Sequence, residues 1–67
     1  MQKWEYLVLL HTWDAELQEY YWGTDSRDNM VIQDRLDELG KEGWELVAVR
    51  TLGMSASAFY HFKRSLE

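Results

Sequence analysis

The chain has no cysteine among its 67 residues. That absence removes disulfides, thiolate zinc sites and cysteine nucleophiles at once, and it fits a reducing compartment. With only two histidines, a structural metal site is not expected. Proline, internal repeats and low-complexity stretches are also missing, so nothing marks a linker and one domain over residues 1–67 is expected. No apolar run approaches the roughly 20 residues needed to span a bilayer. The opening residues lack a charged segment followed by an apolar one, so no secretion leader and no membrane partner are expected, and the default location is the cytoplasm. Positive charge is scarce as well. Lys and Arg number 7 against 12 Asp and Glu, for a net charge of −5. Such a chain lacks the cationic footprint that attracts phosphate backbones, and no nucleic-acid partner is expected.

What is present is apolar and aromatic. The apolar share of 46% is too high for a disordered chain. Four Trp, four Tyr and two Phe are more than one small core readily hides. A chain of this size buries only about 60% of its unfolded surface. Small domains therefore add a disulfide, a metal or a partner subunit. With the first two set aside, oligomerisation remains.

Hydrophobic spacing divides the chain into elements. Residues 3–11 alternate as a strand, with Trp4, Tyr6, Val8 and Leu10 on one face. Leu7 and Leu9 make the other face apolar too, which predicts a central position. Residues 12–16 read as a turn formed by Asp14, and residues 17–22 as a second strand rich in aromatics or, as the competing reading, part of a long aromatic loop. The polar break at 23–29 offers Asp25, Ser26, Asp28 or Asn29 as a helix N-cap. Residues 30–41 carry Ile32, Leu36 and Leu39 on one helical face. Asp37 and Lys41 are spaced to pair. Gly43 suits the left-handed position after the helix, and Gly40 a close approach to a sheet. Residues 44–52 predict a strand with Trp44, Leu46, Ala48 and Leu52 on one face and Val47 and Val49 on the other. Residues 53–57 form a small-residue turn. Residues 58–64 form a last strand, with Phe59 on one side and Tyr60 and Phe62 on the opposite one. The short link between these two strands requires an antiparallel hairpin. The fold class is therefore α+β: a small antiparallel or mixed sheet of three to four strands with one helix on one face. One helix leaves the second apolar sheet face uncovered, and another copy of the chain is the simplest cover.

Three short motifs stand out: Lys3-Trp4-Glu5-Tyr6, Leu39-Gly40-Lys41-Glu42-Gly43-Trp44-Glu45-Leu46-Val47, and Phe62-Lys63-Arg64. Together they resemble a family of small bacterial and phage domains known as domain of unknown function 4177. Residues 12–29 depart from that pattern, because an aromatic insert separates the first strand from the helix. The resemblance implies a strand–helix–strand–strand core and brings no activity with it. The central motif also has a purely architectural reading: Gly43 turns the chain out of the helix, and Trp44 packs back on the helix end.

No arrangement of residues argues for catalysis. His11 and His61 lie on strands that could be neighbours, but they read as edge or surface histidines. Ser55 and Ser57 flank Ala56 in a turn without a nucleophile-elbow pattern. His11 and Asp14, with His61, lack a recognised metal spacing. Gly40 and Gly43 follow a helix, whereas phosphate loops precede one. No enzyme activity and no cofactor are expected. The sharpest hint is Trp13, Tyr20 and Trp22, residue types that favour protein interfaces and ligand pockets. Arg50, on an otherwise apolar strand, can pair with an acid, stack on an aromatic or hold an anion. The expected function is a self-associating binding module, a dimer or higher. The alternative is a binder of a small, anionic or nucleotide-like ligand between subunits, lined by Trp13, Tyr20 and Trp22 with Arg50.

Overall fold

A computed structural model describes residues 2–53 and 56–66. Its elements run β1 (Trp4–Asp14), β2 (Glu19–Trp22), α1 (Ile32–Lys41), β3 (Glu45–Thr51) and β4 (Ala58–Ser65). The four strands form one antiparallel sheet in the order β2-β1-β4-β3. The fold is α+β, with one helix. β1 is central, as its two apolar faces require.

Register sorts the side chains into two faces. Leu7 lies opposite Phe62, Leu9 opposite Tyr60, and His11 opposite both Ala58 and Trp22. This is the helix side. Phe62, Trp22 and Ala58 are buried there, and Leu39 of α1 completes the core. The other face carries Trp4, Tyr6, Val8 and Leu10 from β1, with Phe59 and His61 from β4. Among the described residues nothing covers it: Tyr6 is 70% exposed and Val8 51%.

Several local expectations shift. β1 continues to Asp14 instead of ending at residue 11, and β2 starts at Glu19, so Leu17 is not in a strand. The turn lies between them. Asp14 does form it, its Oδ1 accepting from the backbone N–H of Glu16 at 2.9 Å and of Leu17 at 3.1 Å. Gln18 closes the turn in the left-handed region, at φ 53°.

α1 begins at Ile32, not at residue 30, with Val31 as an N-cap that offers no side-chain hydrogen bond. None of Asp25, Ser26, Asp28 or Asn29 serves. Asp25 instead accepts from the backbone N–H of Arg27 at 3.0 Å, and Asp28 pairs with Arg35 at 2.5 Å. The helix start is fixed through the core: Trp22 Nε1 donates to the Met30 carbonyl at 2.8 Å.

The helix end follows expectation at Gly43, where φ is 89°. The Trp44 N–H reaches the Leu39 carbonyl and the Gly43 N–H reaches that of Gly40, both at 3.0 Å. That is a Schellman cap, which needs a residue tolerant of positive φ. Gly40 departs from expectation. A Cβ there would meet nothing within 4 Å, so it allows no close packing on the sheet. Asp37 accepts from Gln33 at 3.0 Å instead of pairing with Lys41.

β3 holds a bulge. Leu46 lies opposite Phe62 and Ala48 opposite His61, so Val47 is the extra residue. The bulge reverses the expected alternation. Leu46 and Val49 share the helix side, while Glu45, Ala48 and Arg50 share the open side. β3 is an edge strand, and all of its residues are exposed. Of the 53–57 turn, residues 54 and 55, including Ser55, lie outside the described residues. Gly53 has φ 54°.

The three short motifs meet at one end of the sheet. Lys63 Nζ lies 4.4 Å over the Trp4 ring. Arg64 forms an ion pair with Glu5, donates to the Glu42 carbonyl at 2.9 Å, and sits 4.4 Å over Trp44. The motifs thus join first strand, last strand and helix end into one unit. Their architectural reading accounts for Trp4, Glu5, Gly43, Trp44, Phe62, Lys63 and Arg64.

Candidate functional site

The opposite end of the sheet holds the aromatic insert. The β1–β2 register sets Trp13 against Tyr20 and His11 against Trp22. All four rings therefore point to the helix side. His11 stacks on Tyr20 with centroids 4.7 Å apart and planes 7° apart. Trp22 lies tilted against His11 at 4.5 Å, and Trp13 meets Tyr20 at 4.8 Å. Tyr60 of β4 stands edge-on to both His11 and Trp22. Trp22 is fixed further by its bond to Met30 and by the Arg35 guanidinium, 5.4 Å from its ring centroid. Arg35 is itself held by Asp28 at 2.5 Å and Glu38 at 3.1 Å.

Against this stack lies an open groove of about 440 Å³. His11, Trp13 and Tyr20 form one wall, and Met30, Val31 and Ile32 the other; Gln18, Glu19 and Asn29 border it. Its lining includes no Lys or Arg, and Glu19 adds an acid.

Of the four expected site residues, the structure brings Trp13 and Tyr20 together at the groove. Trp22 belongs to the same stack but is buried beneath it, 4% exposed. Arg50 lies elsewhere, on the open face of the far edge strand, 5.1 Å over the Phe59 ring. Stacking on an aromatic is what it does. It is not among the residues that line the groove of its own chain.

His11 is not a surface histidine. It is 6% exposed, and its flanking rings account for the burial. Alternation alone could have placed it with Leu7 and Leu9 on the helix side. His61 points to the open face, so the two histidines do not meet although their strands pair. Among the described residues, no three His, Asp or Glu are arranged to hold a metal. No described helix is long and apolar enough to cross a membrane. No protein-family model, curated protein or solved structure matches this chain.

Burial depresses the His11 pKa below its ordinary value of 6.5. The folded chain therefore binds the proton less readily than the unfolded one. Stability is full above about pH 6.5 and falls as pH drops toward the depressed value, by no more than about 1.4 kcal/mol per pH unit. Thermal melts between about pH 7.5 and 5 should show this loss. A His11→Phe variant, which keeps a ring in the stack, should flatten it. Parallel wild-type and variant curves would remove His11 from the account.

Proposed function

We propose that the chain is a self-associating interaction module of the cytoplasm whose uncovered sheet face docks a second copy of itself. One observation carries the reading: Trp4, Tyr6, Val8 and Leu10, with Phe59, share a sheet face that the helix does not cover. Contiguous exposed apolar surface of this kind marks a contact site. Its inner strands set Tyr6, Val8 and Leu10 against Lys63, His61 and Phe59, while Glu45 and Arg50 stand on the edge strand. A second copy presents the same face, so a two-fold axis lets each aromatic meet its counterpart region. Without cysteine or a metal cluster among the described residues, a subunit contact is also the staple that so short a chain can use.

Sedimentation velocity at micromolar concentration tests the reading. The wild-type chain should sediment as a dimer or larger. Tyr6→Glu places a charge at the most exposed aromatic of the face. It should weaken that contact by at least about 30-fold, since central interface aromatics commonly carry about 2 kcal/mol or more. Its circular dichroism should be unchanged, because the site is open to solvent. A wild-type chain that stays an 8.1 kDa monomer at that concentration ends the proposal.

A further inference from the structure

We propose that the edge strand β3 pairs antiparallel with β3 of a second copy, about a two-fold axis between Val47 and Ala48, joining two four-stranded sheets into one. The inference rests on the self-association reading and adds to it a second, separate contact.

An edge strand leaves a row of main-chain donors and acceptors without a ladder. Proteins guard such edges with Lys, Pro or inward charges. The β3 sequence Glu45-Leu46-Val47-Ala48-Val49-Arg50-Thr51 has neither Lys nor Pro. Leu46, Val47 and Val49 are 38%, 47% and 48% exposed. Charge stands only toward the two ends, as Glu45 and Arg50. Neither has an ion-pair partner among the described residues. The in-register neighbour of Glu45 is Lys63, whose ammonium is occupied over Trp4.

The bulge selects the register. Residues facing each other across an antiparallel pair lie on the same side of the sheet. In a regular strand, a two-fold axis must then pass through a residue. Here Val47 is extra, so Glu45 and Arg50 share one side and Leu46 and Val49 share the other. An axis between Val47 and Ala48 therefore sets Glu45 opposite Arg50 of the second copy, and Leu46 opposite its Val49. An axis through Ala48 would instead set Leu46 against Arg50 across opposite sides. A bulge commonly turns an edge away from partners. In the chosen register the two bulges coincide, and the flanking residues keep same-side neighbours. The two-fold makes each ion pair twice.

The test uses the full chain, with the open face disabled by Tyr6→Glu. Sedimentation and circular dichroism are read together. The disabled chain should remain dimeric through its edge. Adding Glu45→Arg or Arg50→Glu alone should each weaken that dimer at least about tenfold by setting like charges opposite. Adding both should restore it. A mixture of chains carrying Leu46→Cys or Val49→Cys, in an otherwise cysteine-free sequence, should oxidise chiefly to the mixed disulfide. The proposal is overturned if Tyr6→Glu alone gives a monomer, in which case the face reading stands. It is also overturned if the double charge swap is no better than the single ones, or if the mixed disulfide is not favoured. A monomeric wild-type chain overturns both readings. If Tyr6→Glu leaves the wild-type subunit count unchanged and the added charge variants then lower it, the edge is upheld and the face reading falls.

Discussion

Trp22→Ala should remove about 3–5 kcal/mol of folding stability. For a chain of 67 residues, whose whole stability is expected near 3–10 kcal/mol, that leaves much of the population unfolded at 37 °C. The size of the effect comes from how much converges on one ring. The indole is buried and lies against His11, Tyr60 and the Arg35 guanidinium. Its Nε1 donates to Met30, the main-chain group that positions the start of α1. Truncation opens a cavity, leaves that carbonyl unpartnered and frees the segment before the helix. Trp22→Phe separates the causes. It keeps a ring but removes the donor, and should lose about 1–2 kcal/mol. Urea unfolding followed by circular dichroism gives both values. An Ala variant within about 1 kcal/mol of wild type would mean that the ring stack does not hold the helix to the sheet.

Phe62→Ala should be equally severe, again about 3–5 kcal/mol. Phe62 is 2% exposed and lies between Leu7 on β1 and Leu46 on β3. Its removal opens a hole across three adjacent strands, which a twisted sheet cannot close by moving one element. Phe62→Leu fills most of that hole and should lose about 1.5 kcal/mol or less. Association stabilises the folded form by mass action, so the midpoints must be compared at one chain concentration. If the Ala variant loses helix and sheet signals together, Phe62 holds the whole domain. If it keeps its stability while its subunit count falls, Phe62 acts through the assembly instead.

The sequence made the architecture readable where burial pattern and backbone chemistry act locally. Two apolar faces put β1 in the middle of the sheet. Gly43 marked the helix end, because its Schellman cap needs positive φ. The small-residue link made β3 and β4 a hairpin. What escaped reading was decided by contacts distant in the chain. Four good N-caps precede α1, yet the indole of Trp22 sets where it begins. Thr12 and Trp13 read as a turn, but the Trp13 N–H donates to Ser57 Oγ at 2.9 Å and the strand continues beside β2. Nothing in Leu46-Val47-Ala48-Val49 distinguishes a bulged strand from a regular one, so the faces of β3 were assigned in the wrong phase. Of the site, the grouping of Trp13, Tyr20 and Trp22 was legible from residue type; the pairing of Trp13 with Tyr20 was not, because Trp13 was read in a turn. The burial of His11 was not, because its polarity argued for the surface. Arg35 gave no signal at all among the charged residues of the helix.

The placement of β1 also governs the order in which the molecule can form. The strand made first lies at the centre, and its longest partner, β4, is made last; Glu5 meets Arg64 only when nearly all of the chain is available. A hairpin of β1 with β2 can close early, within microseconds, but it buries neither apolar face of β1. During synthesis β1 therefore waits for its second neighbour through the whole span of helix and β3. Long-range pairing of this kind slows folding and leaves strand edges open to other chains meanwhile. A nascent chain in this state is a ready target for a holding chaperone, and crowding many such chains together favours misassembly over completion of the sheet.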